Sequence, residues 1–99
     1  MVHRFDAALW LHTGDAAWHF VTLPTDVADA IDDITAGGRR GFGSVRVTVT
    51  IGSTTWNTSV FPDSASESFV LPVKMQVRAR EGVGDGDTVA VTLQLAETP

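Results

Sequence analysis

Arg39 and Arg40 lie in the run Gly37-Gly38-Arg39-Arg40-Gly41-Phe42-Gly43, the densest chemical constellation in the chain. Glycines let backbone N–H groups approach an anion, and two guanidiniums can grip a phosphate or carboxylate bidentately. On structural grounds alone, the same run is a glycine-rich helix-to-strand connection whose arginines pair with nearby aspartates. Trp56, followed closely by Thr58 and Ser59, offers an aromatic surface and hydroxyls to such an anion. The candidate ligand-binding set is therefore Arg39, Arg40, Phe42, Trp56 and Ser59. Ser59 has no His–Asp partner in any recognisable motif, so no nucleophilic role is assigned to it, and no catalytic constellation can be assembled.

A second cationic group is Lys74, Arg78 and Arg80. On a strand all three share a face, whereas on a helix Lys74 and Arg78 are i, i+4 neighbours. Either structure gathers positive charge, which makes these residues the candidates for nucleic-acid contact. Composition argues against that use. The formal net charge is −5, from seven basic and twelve acidic residues, and phosphate neutralisation needs clustered Lys and Arg.

Metal chemistry finds little support. His3, His12 and His19 are spread over two early strands; a hairpin would bring His12 and His19 together, but two imidazoles without a carboxylate make a poor zinc site. Gly84-Asp85-Gly86-Asp87 lacks the spaced acids and terminal Glu of a calcium loop and reads as a tight turn. No metal and no cofactor is expected. With no cysteine, disulfides and Cys-based zinc sites are excluded, which fits a reducing compartment. No signal-peptide pattern and no apolar run of about 20 residues is present, so a cytoplasmic, membrane-free protein is expected. Trp10, Trp18 and Trp56 either line a cleft or, as strand tryptophans do more often, fill a small barrel with the indole N–H paired.

The elements that must position these residues are mostly strands. The chain has 99 residues, 43% hydrophobic, enough for one domain over 1–99. Phe5, Ala7, Leu9 and Leu11 alternate onto one strand face, and His12 to Asp15 is turn chemistry. Ala17 to Leu23 is the returning strand. Val27, Ala30, Ile31 and Ile34 then mark one helix stripe, with Thr25 as N-cap and Gly37-Gly38 as terminator. Asp26, Asp29, Asp32 and Asp33 face solvent opposite it. Val45, Val47, Val49 and Ile51 point inward on the clearest strand, Gly52-Ser53-Thr54 turns, and Thr55 to Phe61 returns. Pro62 to Ser68 is a polar loop, Phe69-Val70-Leu71 a strand, and Val89, Val91, Leu93 and Leu95 mark the last one. Pro72 to Gly82 stays open between strand and helix: its residues alternate, yet Pro72 suits a first helical turn and Gly82 a C-cap.

Leu23-Pro24 and Leu71-Pro72 recur 48 residues apart, each preceded by Phe-Val and followed by a long alternating strand. The chain then reads as strand, strand, helix, strand, written twice, about 3–52 and 54–96, which favours a short helix over Pro72 to Glu81. Chance recurrence of Leu-Pro is the competing explanation.

The run Arg40-x-Phe42-Gly43-x-Val45-x-Val47, then Ile51-Gly52-x-x-x-Trp56-x-Thr58-Ser59, Leu71-Pro72-Val73-Lys74, Val77-Arg78 and Gly86-Asp87-x-Val89 resembles the bacterial family named domain of unknown function 1905. The resemblance implies a mainly β, double-split β-barrel, a pseudo-barrel capped by short helices, as in the AbrB and MazE transcription-factor domains. Those barrels are built from two swapped chains; here one duplicated chain would supply both halves. The family carries no established activity. Some members precede a domain linked to bacteriocin resistance, and no such domain is expected within these 99 residues. The expectation is a non-enzymatic module, monomer or homodimer, binding an anionic small molecule or a protein partner. The alternative, nucleic-acid binding through Lys74, Arg78 and Arg80, rests on analogy of fold.

Overall fold

In a computed structural model of the chain, the described residues are 2–14, 17–35 and 43–96. Their order is β1 (Val2–His12), β2 (Trp18–Thr22), α1 (Thr25–Thr35), β3 (Val45–Ile51), β4 (Thr54–Asp63), β5 (Ser68–Pro72), α2 (Met75–Glu81) and β6 (Thr88–Leu95). The strands close into an antiparallel barrel in the order β1-β2-β5-β4-β3-β6. Exchanging β1 with β4, β2 with β5 and β3 with β6 leaves the set of strand pairings unchanged. The element order strand-strand-helix-strand occurs twice along the chain.

Two strands divide their partners. In β1, Val2 to Ala8 pair with β6 while Leu9 to His12 pair with β2. In β4, Thr54 to Val60 pair with β3 while Phe61 to Asp63 pair with β5. At both places the strand passes from one partner to the next.

Apart from Phe69 the interior is aliphatic, because the inward residues of the alternating strands are mostly valine and leucine. Val45, Val47, Val49 and Ile51 are buried against Val89, Val91 and Leu93, and Leu9, Val21, Val60, Phe69 and Leu71 complete the barrel. None of the three tryptophans is fully buried: Trp56 is half-buried and packs against the core, while Trp10 and Trp18 lie outside a narrow barrel already occupied by valines and leucines. Trp10 does pair its indole N–H, donating to the Thr22 hydroxyl at 2.9 Å, but on the outer face.

The helices depart from expectation in detail. Thr25 is not the N-cap of α1 but its first helical residue, since the first helical bond runs from the Ala28 N–H to the Pro24 carbonyl. The packed stripe is Val27, Ala28 and Ile31; Ile34 is 48% exposed because the last turn passes beyond the packed face. Asp32 is half-buried rather than solvent-facing. The open segment resolves into a strand end and a helix. Pro72 closes β5, and α2 starts three residues later, at Met75. Gly82, at φ 65°, ends α2 in a Schellman motif, with Val83 N–H donating to the Arg78 carbonyl and Gly82 N–H to the Ala79 carbonyl. The expected polar loop after Phe61 is shorter, because β4 runs to Asp63 and only 64–67 turn. Among the described residues no helix is long and apolar enough to cross a membrane.

Candidate functional site

The parting of β4 from β5 opens a groove. The strand order is β2-β5-β4, but β5 ends at Pro72 and the chain swings away into α2. Beyond that point Trp18 and His19 of β2 face Trp56, Asn57 and Thr58 of β4 with no strand between them. Pro72, Val73, Lys74, Met75 and Arg78 wall the gap, whose volume is about 440 Å³. The crossing segment is tied to β2 by the Val73 N–H, which donates to the His19 carbonyl at 2.9 Å.

Lys74 is the N-cap of α2, extended at φ −69° and ψ 159°, and its side chain makes no capping bond. One turn on, Arg78 donates from Nε to the Val73 carbonyl at 3.1 Å, which fixes the guanidinium against the groove wall. Two local preferences are broken here: a cation stands at a helix start, and like charges sit at i, i+4. His19 lines the same groove, and its Nδ1 is buried without a hydrogen-bond partner. Buried polar atoms are nearly always paired, so this orphan is an unusual feature of the groove wall.

The structure thus regroups the residues expected from sequence. Trp56, from the first candidate set, meets Lys74 and Arg78, from the second. Ser59 stands at the next register position on β4, opposite Arg46, and does not line the groove. Arg80 is exposed and also stands outside it, because two residues along a helix turn a side chain to another face. Arg39, Arg40 and Phe42 lie outside the described residues. His12 and His19 do not come together: His12 aligns with Trp18 and His19 with Leu11, so their side chains leave opposite faces of the hairpin. Among the described residues no group of three or more His, Asp or Glu side chains could hold a metal.

Residues 5–93 match the family described as Domain of unknown function (DUF1905). The chain belongs to that family. A comparison with curated proteins gives no match. The part of the chain matched to DUF1905 includes the whole groove, from Trp18 and His19 to Arg78.

Two features escaped sequence reasoning. One is a polar tie at the far end of α2, where Glu81 accepts hydrogen bonds from the Ser53 N–H at 3.3 Å, the Ser53 hydroxyl at 3.1 Å and the Thr54 hydroxyl at 2.5 Å. The Thr54 bond is the main reason the Glu81 carboxyl titrates below its ordinary range. Partial desolvation opposes it, and the Ser53 bonds and the Arg80 charge add to it. No local sequence signal joins residues 27 and 28 positions apart. The other is an aromatic outer face formed by Trp10, His12, Trp18 and Phe20, with ring centroids 5.3–6.2 Å apart. Its signal was present: these residues alternate out of phase with the inward Leu9 and Val21.

Proposed function

We propose that the chain is a non-enzymatic binding module whose groove between β4 and α2 takes an anionic small molecule with a planar or apolar body. The observation that carries this reading is the convergence of Lys74 and Arg78 with Trp56 and His19 in one small-molecule-sized groove. Lys74 and Arg78 repel each other by a few tenths of a kcal/mol, and an anion held between them relieves that repulsion. Trp56 packs partly against the core and is preorganised to stack on a flat ligand. Expected contacts are charge-assisted hydrogen bonds from Lys74 and Arg78, with the Thr58 hydroxyl as a neutral partner.

The barrel itself supports the double-split reading, the fold class of the AbrB and MazE domains, because β1 and β4 each pass from one partner strand to another. A bacterial, cytoplasmic protein fits the family resemblance and the absence of cysteine. The nucleic-acid alternative needs Arg80 beside Lys74 and Arg78, and Arg80 is not among the groove-lining residues.

Titration with adenosine monophosphate, benzoate and inorganic phosphate, followed by thermal shift and tryptophan fluorescence, tests the proposal. A planar anion should raise the melting temperature and quench fluorescence, with phosphate alone binding more weakly and Lys74→Gln reducing the effect. No shift with any planar anion, or an undiminished shift in Lys74→Gln, overturns it. A single-stranded oligonucleotide that alone binds at low salt, with a steep salt dependence, would move the function to nucleic acid.

A further inference from the structure

A second groove, of about 560 Å³, lies across the ridge made by Trp18 and Pro72 and has the opposite chemistry. It sits on the outer face of the β1-β2-β5-β4 sheet. Trp10, Phe20 and Pro72 form one cross-strand row, His12 and Trp18 the next, and Phe61 lies on the far side beyond Val70. Trp18 and Phe20 stack with their planes 8° apart, and Trp18 and Phe61 remain 53% and 42% exposed. Among the described lining residues there is no Lys or Arg. The charged group at the rim is the Asp63 carboxylate, whose Oδ2 accepts hydrogen bonds from the Ser66 hydroxyl at 2.7 Å and the Ser66 N–H at 3.2 Å.

An apolar patch of this kind, with Trp18 and Phe61 exposed, is the sort of surface that marks an interaction site, and the concavity is of small-molecule size. Ring faces carry partial negative charge, and an anchored carboxylate beside them adds a full one, so both complement an organic cation. An anion meets repulsion here, and a purely apolar occupant makes no use of Asp63. The geometry points to a binding site for a quaternary or alkylated ammonium head group on a larger molecule, seated against Trp10, Trp18, Phe20 and Phe61 with Asp63 as counter-charge.

Choline and dimethylbutanol, its uncharged carbon isostere, separate this from simple hydrophobic adhesion. In two-dimensional NMR, choline at millimolar concentration should move the Trp10 and Trp18 indole N–H signals. Dimethylbutanol should bind roughly fivefold or more weakly, the scale of a partly exposed cation–π or ion contact. Asp63→Asn, which keeps an acceptor for Ser66, should weaken choline by a similar factor, and Phe61→Ala should do the same. Lys74→Gln should leave choline binding unchanged. Equal binding of the two isosteres, or no movement of the indole signals by choline, overturns the assignment. Both of those readouts use the unmodified chain, so they stand even if a variant fails to fold.

Discussion

The two helices occupy corresponding places in the strand-strand-helix-strand order, yet they are fixed by different forces. α1 has eleven residues, buries Val27, Ala28 and Ile31, and carries four aspartates with no Lys or Arg. α2 has seven residues and buries only Val77. It is held at its C-terminal end, by the Schellman turn at Gly82 and the Glu81 bonds to Ser53 and Thr54. The difference begins at the Leu-Pro pairs. After Leu23-Pro24 the helix starts at once, whereas after Leu71-Pro72 the chain spends Val73 and Lys74 crossing the parted sheet. Those two extra residues put a cation over the groove. The comparison teaches that apolar packing fixes one helix, while polar ties at one end of the other leave its opposite end exposed beside the groove.

If that is correct, emptying the core under each helix should have unequal costs. Ile31→Ala removes a side chain that is fully buried, and should destabilise the fold by roughly 2–5 kcal/mol in chemical denaturation. Val77→Ala deletes less from the only buried α2 position and should cost clearly less. Equal losses would mean that α2 is also held chiefly by its core contact.

The polar tie is tested next, at Gly52. This residue has φ 59° and lies at the first central position of the β3–β4 turn, where a II′ hairpin takes glycine. A Cβ there would overlap the Glu81 carboxylate. Gly52→Ala should therefore cost about 1–2 kcal/mol from backbone strain alone, and should also dislodge α2. Hydrogen exchange should quicken along α2 and not along α1. Uniform quickening would show that the two helices open together.

Glu81 gives the same tie a pH signature. Its folded pKa is depressed, chiefly by the Thr54 hydroxyl. The native state thus favours the carboxylate and the unfolded state binds more protons in the acid range. Stability from this group is complete above the ordinary glutamate pKa, about 4.3, and is lost as pH falls through the lower folded value. Glu81→Gln should lower the melting temperature at neutral pH and flatten the acid limb of the melting profile. An unchanged acid limb would leave Glu81 without a role in holding α2.

Much of this comparison was legible in sequence. Inward alternation at Val45 to Ile51 and Val89 to Leu93 gave the barrel core, because a period of two needs no distant information. Each Leu-Pro pair precedes one of the two helices, α1 and α2. The pairs did not announce that Pro72 would end a strand: proline fits a strand end and a helix start equally, and only pairing with Phe20 decides. The site was half legible. Residue type singled out Trp56, Lys74 and Arg78, but assigned them to different tasks, since their meeting depends on β5 stopping short of β4's full length. His19 joined them through strand register, which composition does not encode.

The smallest expected effect is the most discriminating one. Lys74 is exposed and makes no capping bond, so Lys74→Gln should change stability by no more than about 0.5 kcal/mol, the usual range for surface positions. Asp29→Asn on α1, also exposed, should be as quiet. The two variants should part company in binding: Lys74→Gln weakens a planar anion and Asp29→Asn does not. Any stability change in Lys74→Gln should be a gain, because it removes a cation from a helix start and a like charge four residues before Arg78. A residue whose loss leaves the fold unharmed or firmer while ligand affinity falls is retained for binding. A clear loss of stability would instead make Lys74 part of the scaffold, and would remove the contrast between the two helices.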